Sequence, residues 1–280
     1  MLAYRQVIGI LALTCAAAAA APAYAQSKLE ARYTASLAGI PIGKGSWMVD
    51  VSDSHYSAAA TGTTTGLLHV FNDGHGNSST RATLQGGKPV SAIFASTIAA
   101  GKKTDEVRIT IANGSVKDYS VEPPQQNAPE LVPITEEHRK DVLDPMTASL
   151  LRVPGNGDPV KAEACNQSVS VFDGRLRYDL QLQFKRMDQV KSEKGYVGPV
   201  VVCSVFFTPV AGYIASRSAI KYLAKLREIE VWLAPIGSTR VLAPYRIQGP
   251  TPIGQAVLEA KEFVTVSMPT RASANGTKTQ

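Results

Sequence analysis

Short runs in which apolar and polar residues alternate, broken about every 10–15 residues by turn signals, set most of what this chain can fold into. A period of two belongs to an extended strand, and such runs cannot present one continuous face as a helix. Tyr33, Ala35 and Leu37 alternate with Arg32, Thr34 and Ser36. Residues 38–43 (AGIPIG) read as a turn with an apolar tip, after which Trp47, Val49 and Val51 alternate with Ser46, Met48 and Asp50. Residues 56–65 form a third run in which Tyr56 is followed only by Ala, Ser, Thr and Gly, which implies modest burial on either face. A short apolar run at 67–71 precedes a break at 72–76. Runs at 77–85, 90–99, 104–111 and 116–119 continue the meander, punctuated by Gly86-Gly87, Gly101-Lys102 and Asn113-Gly114.

The clearest single hairpin lies between Cys165 and Cys203. Residues 168–172 and 176–184 alternate on either side of Asp173-Gly174, and Asp-Gly between alternating runs is a strong hairpin signal. Residues 186–194 are charged and read as a turn. Residues 197–207, 228–233, 240–247 and 255–266 read as further strands, with Pro244 marking an edge or a bulge.

Few segments read as helix. After a proline-rich loop at 122–133, Thr135 stands where a cap would, with Glu136 and Glu137 in the first turn. Pro145 opens a second short helix over 146–151, with Asp144 as its cap. Residues 216–227 are basic, with Ile220, Leu223 and Leu226 at helical spacing, and read as a short helix or a mobile loop. Neither half of the chain has enough large apolar residues for its own core. The expected fold is therefore all-β: a single large curved antiparallel sheet, a spiral or half-open barrel, with one or two short helices.

The ends place the chain in the cell. Arg5, an apolar run over 7–21 and Ala23-Tyr24-Ala25 form the pattern of a cleaved secretory signal over 1–25. The run is shorter than the roughly 20 residues a bilayer requires. The expected organisation is this signal, a β-rich periplasmic domain over 26–268 and a disordered tail over 269–280. Export gives the cysteines their meaning. Cys15 leaves with the signal, and Cys165 and Cys203 remain as a pair in an oxidising compartment, which reads as one disulfide. Closing a loop of roughly 38 residues contributes on the order of 4 kcal/mol in the chain-entropy model.

The formal charge of +6 is carried without a dense basic patch interleaved with aromatics, so nucleic acid is not an expected partner. The excess suits an anionic partner such as lipid headgroups or a wall polymer. Arg217, Lys221 and Lys225 are the candidate contact with such a surface, weighed against an ordinary solvated face. Catalytic signals are thin. His69, Asp73 and His75 surround one turn and could hold a metal, but turns of this composition are common without one. Ser54-His55 reads as a hairpin tip. Asp173 reads as closing its own turn, and Asp144 as capping a helix. No phosphate loop, dinucleotide fingerprint or HExxH helix occurs. No catalytic residue, metal site or cofactor is therefore assigned.

Several of these stretches together resemble an uncharacterised bacterial envelope family, domain of unknown function 3108. They are Gly39 to Gly43, Asp144 to Ala148, Cys165 followed by Val171 to Leu180, Cys203 followed by Pro209 to Tyr213, Val231 to Ala234 and Pro244 to Ile247. The resemblance implies an exported, β-rich protein of Gram-negative bacteria and supplies no catalytic residues. The expected function is a non-enzymatic role in envelope integrity, through binding a lipid or another apolar or anionic ligand in the concave face. The alternative is an adaptor that binds another envelope protein along exposed strand edges. A wall or lipid hydrolase ranks below both. A continuous apolar groove favours the first, a filled core with a free edge the second, and clustered His and Asp in a polar cleft the third.

Overall fold

The structure is a computed structural model that describes residues 26–65, 73–86, 88–125 and 127–268. The expected signal, the run at 67–71 with His69 and the C-terminal tail lie outside the described residues. Among the described residues, fifteen strands form one sheet. The first seven are β1 (Gln26–Leu37), β2 (Ile40–Val51), β3 (His55–Thr64), β4 (Gly74–Gln85), β5 (Lys88–Ala100), β6 (Lys103–Ala112) and β7 (Ser115–Glu122). After a helix α1 (Pro145–Ala148) come β8 (Leu151–Arg152), β9 (Ser168–Phe172), β10 (Arg177–Lys191), β11 (Lys194–Gly195) and β12 (Val197–Ala211). A second helix α2 (Ser218–Lys225) precedes β13 (Glu230–Pro235), β14 (Val241–Thr251) and β15 (Gly254–Met268).

The strand order is β7-β6-β5-β4-β3-β2-β1-β15-β14-β13-β12-β10-β9. The first and last strands meet in the middle, with Gln26 opposite Met268 and Leu37 opposite Ala256. That pairing joins the two runs of hairpins into one sheet, as expected from a chain whose halves cannot each fill a core.

The sheet curls until its two edges, β7 and β9, approach each other. No ladder joins them among the described residues. Side chains and a spliced segment close the gap instead. Tyr119 on β7 meets Phe172 on β9 edge-on at 5.1 Å. Val142 N–H donates to Gly114 O at 3.1 Å, and Leu143 N–H donates to Ser170 O at 2.9 Å, so residues 142–143 tie the β6–β7 turn to β9. Gly174, in the β9–β10 turn, has φ 93°, and a Cβ there would stand 2.7 Å from Val107 on β6. Glycine is thus required both by the turn and by the closeness of the opposite edge. Asp173 closes this turn as read from the sequence, its carboxylate accepting from Arg175 N–H at 2.8 Å and Leu176 N–H at 2.6 Å.

Two buried clusters share the C-terminal strands. Val200 to Cys203 are all fully buried. Val200 and Val202, with Trp232 and Ala234, join the main core with Leu29, Val49 and Phe94. Val201 and Cys203, with Val231 and Leu233, join a second cluster with Leu151, Val153 and Cys165. Successive side chains point to opposite faces, so β12 and β13 are covered on both sides. That burial explains the near-continuous β-branched run at 197–207.

Four expectations need correction. The charged stretch at 186–194 is mostly strand, because β10 runs to Lys191. Its charges find partners across the sheet: Lys185 and Arg186 pair with Glu230, and Asp188 accepts from Trp232 Nε1 at 2.9 Å. Arg186 and Arg246 both stack on the Trp232 ring, at 5.1 and 5.0 Å. The helix expected from Thr135 is only a 3₁₀ turn over Glu137–Arg139; Lys140 is extended and Asp141 has φ 51°, which ends helical geometry at once. The turn at 38–43 is only Ala38-Gly39, both at positive φ, and Ile40 already belongs to β2. Elsewhere α1 is shorter than read, because Leu151 pairs with Leu242 in a strand. Residues 216–227 resolve as the helix α2. Pro244 does sit at an irregularity: the β13–β14 register shifts beside it, and the β14–β15 ladder begins only at Arg246.

Candidate functional site

Register shows why the curled sheet is hollow. Reading across from β1 to β6, one row places Ala31, Trp47, Ala60, Ser78, Ser96 and Val107 side by side. The next row holds Tyr33, Gly45, Gly62, Gly76, Ile98 and Asp105. Apart from the aromatics and the β5–β6 end, these positions carry one side-chain carbon or none. A core filled to ordinary density needs Leu or Phe at such places. Here the volume stays open as a chamber of about 880 Å³. Gly45 also allows the curvature, since a Cβ there would stand 2.8 Å from the Thr61 carbonyl oxygen on β3.

The facing wall comes from elsewhere in the chain: Pro145 and Met146 on α1, the β9–β10 turn, Pro244 and Ile247 on β14, and Leu258 on β15. Most of the lining is apolar. Ile98, Ile247 and Leu258 line it while remaining 54%, 37% and 37% exposed, so the chamber opens through an apolar mouth. Large exposed aliphatics grouped at a concavity mark a binding groove more than a surface accident. The polar groups at its border are mostly engaged. Tyr33 hydroxyl donates to Pro244 O at 2.6 Å, Ser78 and Ser96 hydroxyls pair at 2.8 Å, and Arg175 bonds Asp105 at 3.1 Å.

Helix α1 separates this chamber from a second one of about 620 Å³ at the other end of β2–β5. Pro145, Met146 and Ser149 border the first; Thr147, Ala148 and Leu150 border the second. A buried polar cluster holds the helix in place. Asp144, fully buried, caps it by accepting from Met146 N–H at 3.1 Å and Thr147 N–H at 3.0 Å. Its second oxygen accepts from the hydroxyls of Thr147 and, at 3.3 Å, Thr80, and Tyr56 donates in turn to Thr147. Burial raises the Asp144 carboxyl above its usual range, against the opposing pull of its hydrogen bonds. Burial likewise pushes the Tyr56 and Tyr33 hydroxyls up.

The residues singled out from the sequence fall in different places. Cys165 and Cys203 are bonded, fully buried, with Cα atoms 5.5 Å apart. The bridge ties the 3₁₀ turn Ala162–Cys165 to β12 within the second cluster. Arg217 precedes α2 and Lys221 and Lys225 lie on it. All three are exposed, and none has an ion-pair partner among the described residues. His69 lies outside the described residues, and no group of three metal-ligating side chains occurs among the described ones. Ser54 and His55 stand at a hairpin tip, where Ser52 and Ser54 hydroxyls contact His55 Nδ1. No described helix is long and apolar enough to cross a membrane. The chamber residues themselves were missed. Their signal is the small-residue run at 56–65 together with Gly43, Gly45, Ser78 and Ser96, which becomes meaningful only once the strands are in register.

No curated protein matches the sequence. A solved structure of a beta-barrel-like protein of domain of unknown function DUF1849 from Brucella abortus aligns with 86% of this chain and 97% of its own, at 8% identity and a TM-score of 0.45. Over residues 32–261 the sequence matches the family described as protein of unknown function DUF3108, and the chain belongs to that family.

Proposed function

We propose that this is an exported, non-enzymatic protein of the bacterial cell envelope that supports envelope integrity by holding an apolar ligand in its half-open barrel. The observation that carries this reading is the apolar-mouthed chamber of about 880 Å³. Its size falls in the range of small-molecule sites. No histidine borders it among the described residues, and its hydroxyls and carboxylates are engaged with one another or with backbone, which favours holding a ligand over hydrolysing one. The adaptor reading would use the sheet edges: β9 is bridged by Leu143 at Val171 alone, and β7 has no ladder on its outer side among the described residues. The disulfide suits the oxidising periplasm. The exposed face of Arg217, Lys221 and Lys225, beside Leu223 at 38% exposure, suits docking against anionic headgroups.

Native mass spectrometry with lipid extraction, on protein purified from the periplasm, tests the reading. A bound lipid is expected in the natural protein and is lost in Ala60→Leu, which fills the chamber beside Trp47. Bare protein mass in every preparation, with no lipid in the extract, refutes it.

A further inference from the structure

The chamber wall contains a buried donor that the fold leaves without an acceptor. Trp47 is 8% exposed, and its Nε1 has no hydrogen-bond partner among the described residues. The contrast with its neighbours is sharp. Tyr33, Ser78, Ser96, Asp105, Asp173 and Arg175 all border the chamber and all have partners. The chain's other tryptophan, Trp232, gives its N–H to Asp188. An unpaired buried N–H is uncommon and carries the desolvation penalty of a lost hydrogen bond. Trp47 borders the chamber, and its cross-strand neighbours on both sides, Ala31 and Ala60, are small.

The charge around the chamber limits what that group can be. Four charged residues border it, Lys44 and Arg175 against Asp105 and Asp173, two of each sign, and Arg175 is already bonded to Asp105. Lys44 is exposed and stands three residues from Trp47 on β2, so strand alternation turns its side chain to the opposite face, and a carboxylate beside Trp47 would lose its water with no free cation on that face to replace it. A neutral carbonyl has the acceptor that Trp47 lacks and needs no counter-ion. The apolar lining and mouth suit a hydrocarbon chain.

We propose that the chamber takes the acyl chain of a neutral ester or amide lipid, with the acyl carbonyl accepting a hydrogen bond from Trp47 Nε1. This inference rests on the apolar-ligand reading above and goes further in naming the chemistry and the contact. Ester and amide share that carbonyl, and the test separates them from each other and from a free acid.

The experiment is titration calorimetry on the delipidated mature protein with four probes of one chain length: 1-dodecanoylglycerol, N-dodecanoylethanolamine, 1-O-dodecylglycerol and dodecanoate at pH 8. The ester or the amide is expected to bind about fivefold to thirtyfold tighter than the ether, the gain from pairing a buried donor. Whichever of the two binds tighter names the natural linkage. Trp47→Phe keeps the aromatic packing and is expected to bring all uncharged probes within about twofold of the ether, with ether affinity unchanged. Equal ester, amide and ether affinity in the natural protein overturns the Trp47 contact while leaving the chamber reading in place. Dodecanoate binding tightest overturns the neutral-carbonyl assignment. Failure of every probe to bind overturns both the contact and the apolar-ligand reading. The carbonyl-against-ether comparison needs no variant, so it decides the matter even where Trp47→Phe does not fold.

Discussion

Asp144→Ala is the perturbation whose consequence can be worked out most fully. In the native fold one carboxylate oxygen receives two backbone N–H groups at the start of α1, and the other receives the hydroxyls of Thr147 and Thr80. Losing the cap costs about 1 kcal/mol. Each buried hydroxyl left without its acceptor adds about 1 kcal/mol. Asp144→Ala is therefore expected to destabilise by about 3 kcal/mol. Asp144→Asn keeps an oxygen for the two N–H groups, and its amide can donate to hydroxyls that rotate to accept, so its cost near neutrality should be below about 1 kcal/mol. The carboxyl supplies a pH signature as well. Its folded pKa lies above its unfolded value because of burial. The folded state therefore binds the extra proton, and stability from this group is fully present below about pH 4 and declines as pH rises through the raised folded value. Asn does not titrate, so the advantage of the natural protein over Asp144→Asn must shrink as pH rises across that window. Urea unfolding followed by tryptophan fluorescence at several pH values measures all of this. Asp144→Asn as costly as Asp144→Ala, or an advantage that grows with pH, refutes the capping account and shows that the charge itself is what the fold uses.

Three further outcomes follow from other parts of the molecule. Replacing both Cys165 and Cys203 by Ala should lower unfolding free energy by about 4 kcal/mol from loop closure alone, and denaturation curves of the natural protein with and without reductant in the unfolded state check it. Because the bridge is fully buried, reductant without denaturant should leave the native circular-dichroism spectrum unchanged; rapid reduction of the folded protein would contradict that burial. Lys221→Glu with Lys225→Glu should weaken binding to vesicles containing anionic lipid by about tenfold or more, at about 1 kcal/mol per basic residue near the surface, and the difference should fade at high salt. Unchanged sedimentation with vesicles would show that this helix face is simply solvated.

Local signals are legible where one residue type does one local job. Asp173 closes its turn, Asp144 caps α1 ahead of Pro145, and the cysteines pair across 38 residues. The failures share a cause. The stretch at 186–194 has the hydrophilic composition of a turn, whereas Glu230 and Trp232 supply its side chains with partners from a strand more than forty residues away. The stretch beginning at Thr135 has helical composition, but the chain departs into positive φ at Asp141 to carry Val142 and Leu143 between the sheet edges.

Alternation with period two and the placing of turns are properties of neighbouring residues, so the sequence by itself determined the strands, the all-β class, the membership of one family and the pairing of the two cysteines. What it did not contain is register. The meeting of β1 with β15 is a contact between the ends of the domain, and the splice of residues 142–143 between the β6–β7 turn and β9 is likewise long-range. The alignment of Gly45, Gly62 and Gly76 beside Trp47, Ala60 and Ser78 is likewise a relation among strands. A glycine or alanine in a strand is only a weak strand former until its cross-strand neighbours are known. Several of them in one row become a cavity, and that cavity, with one unpaired indole in its wall, is a decision made by the tertiary structure alone.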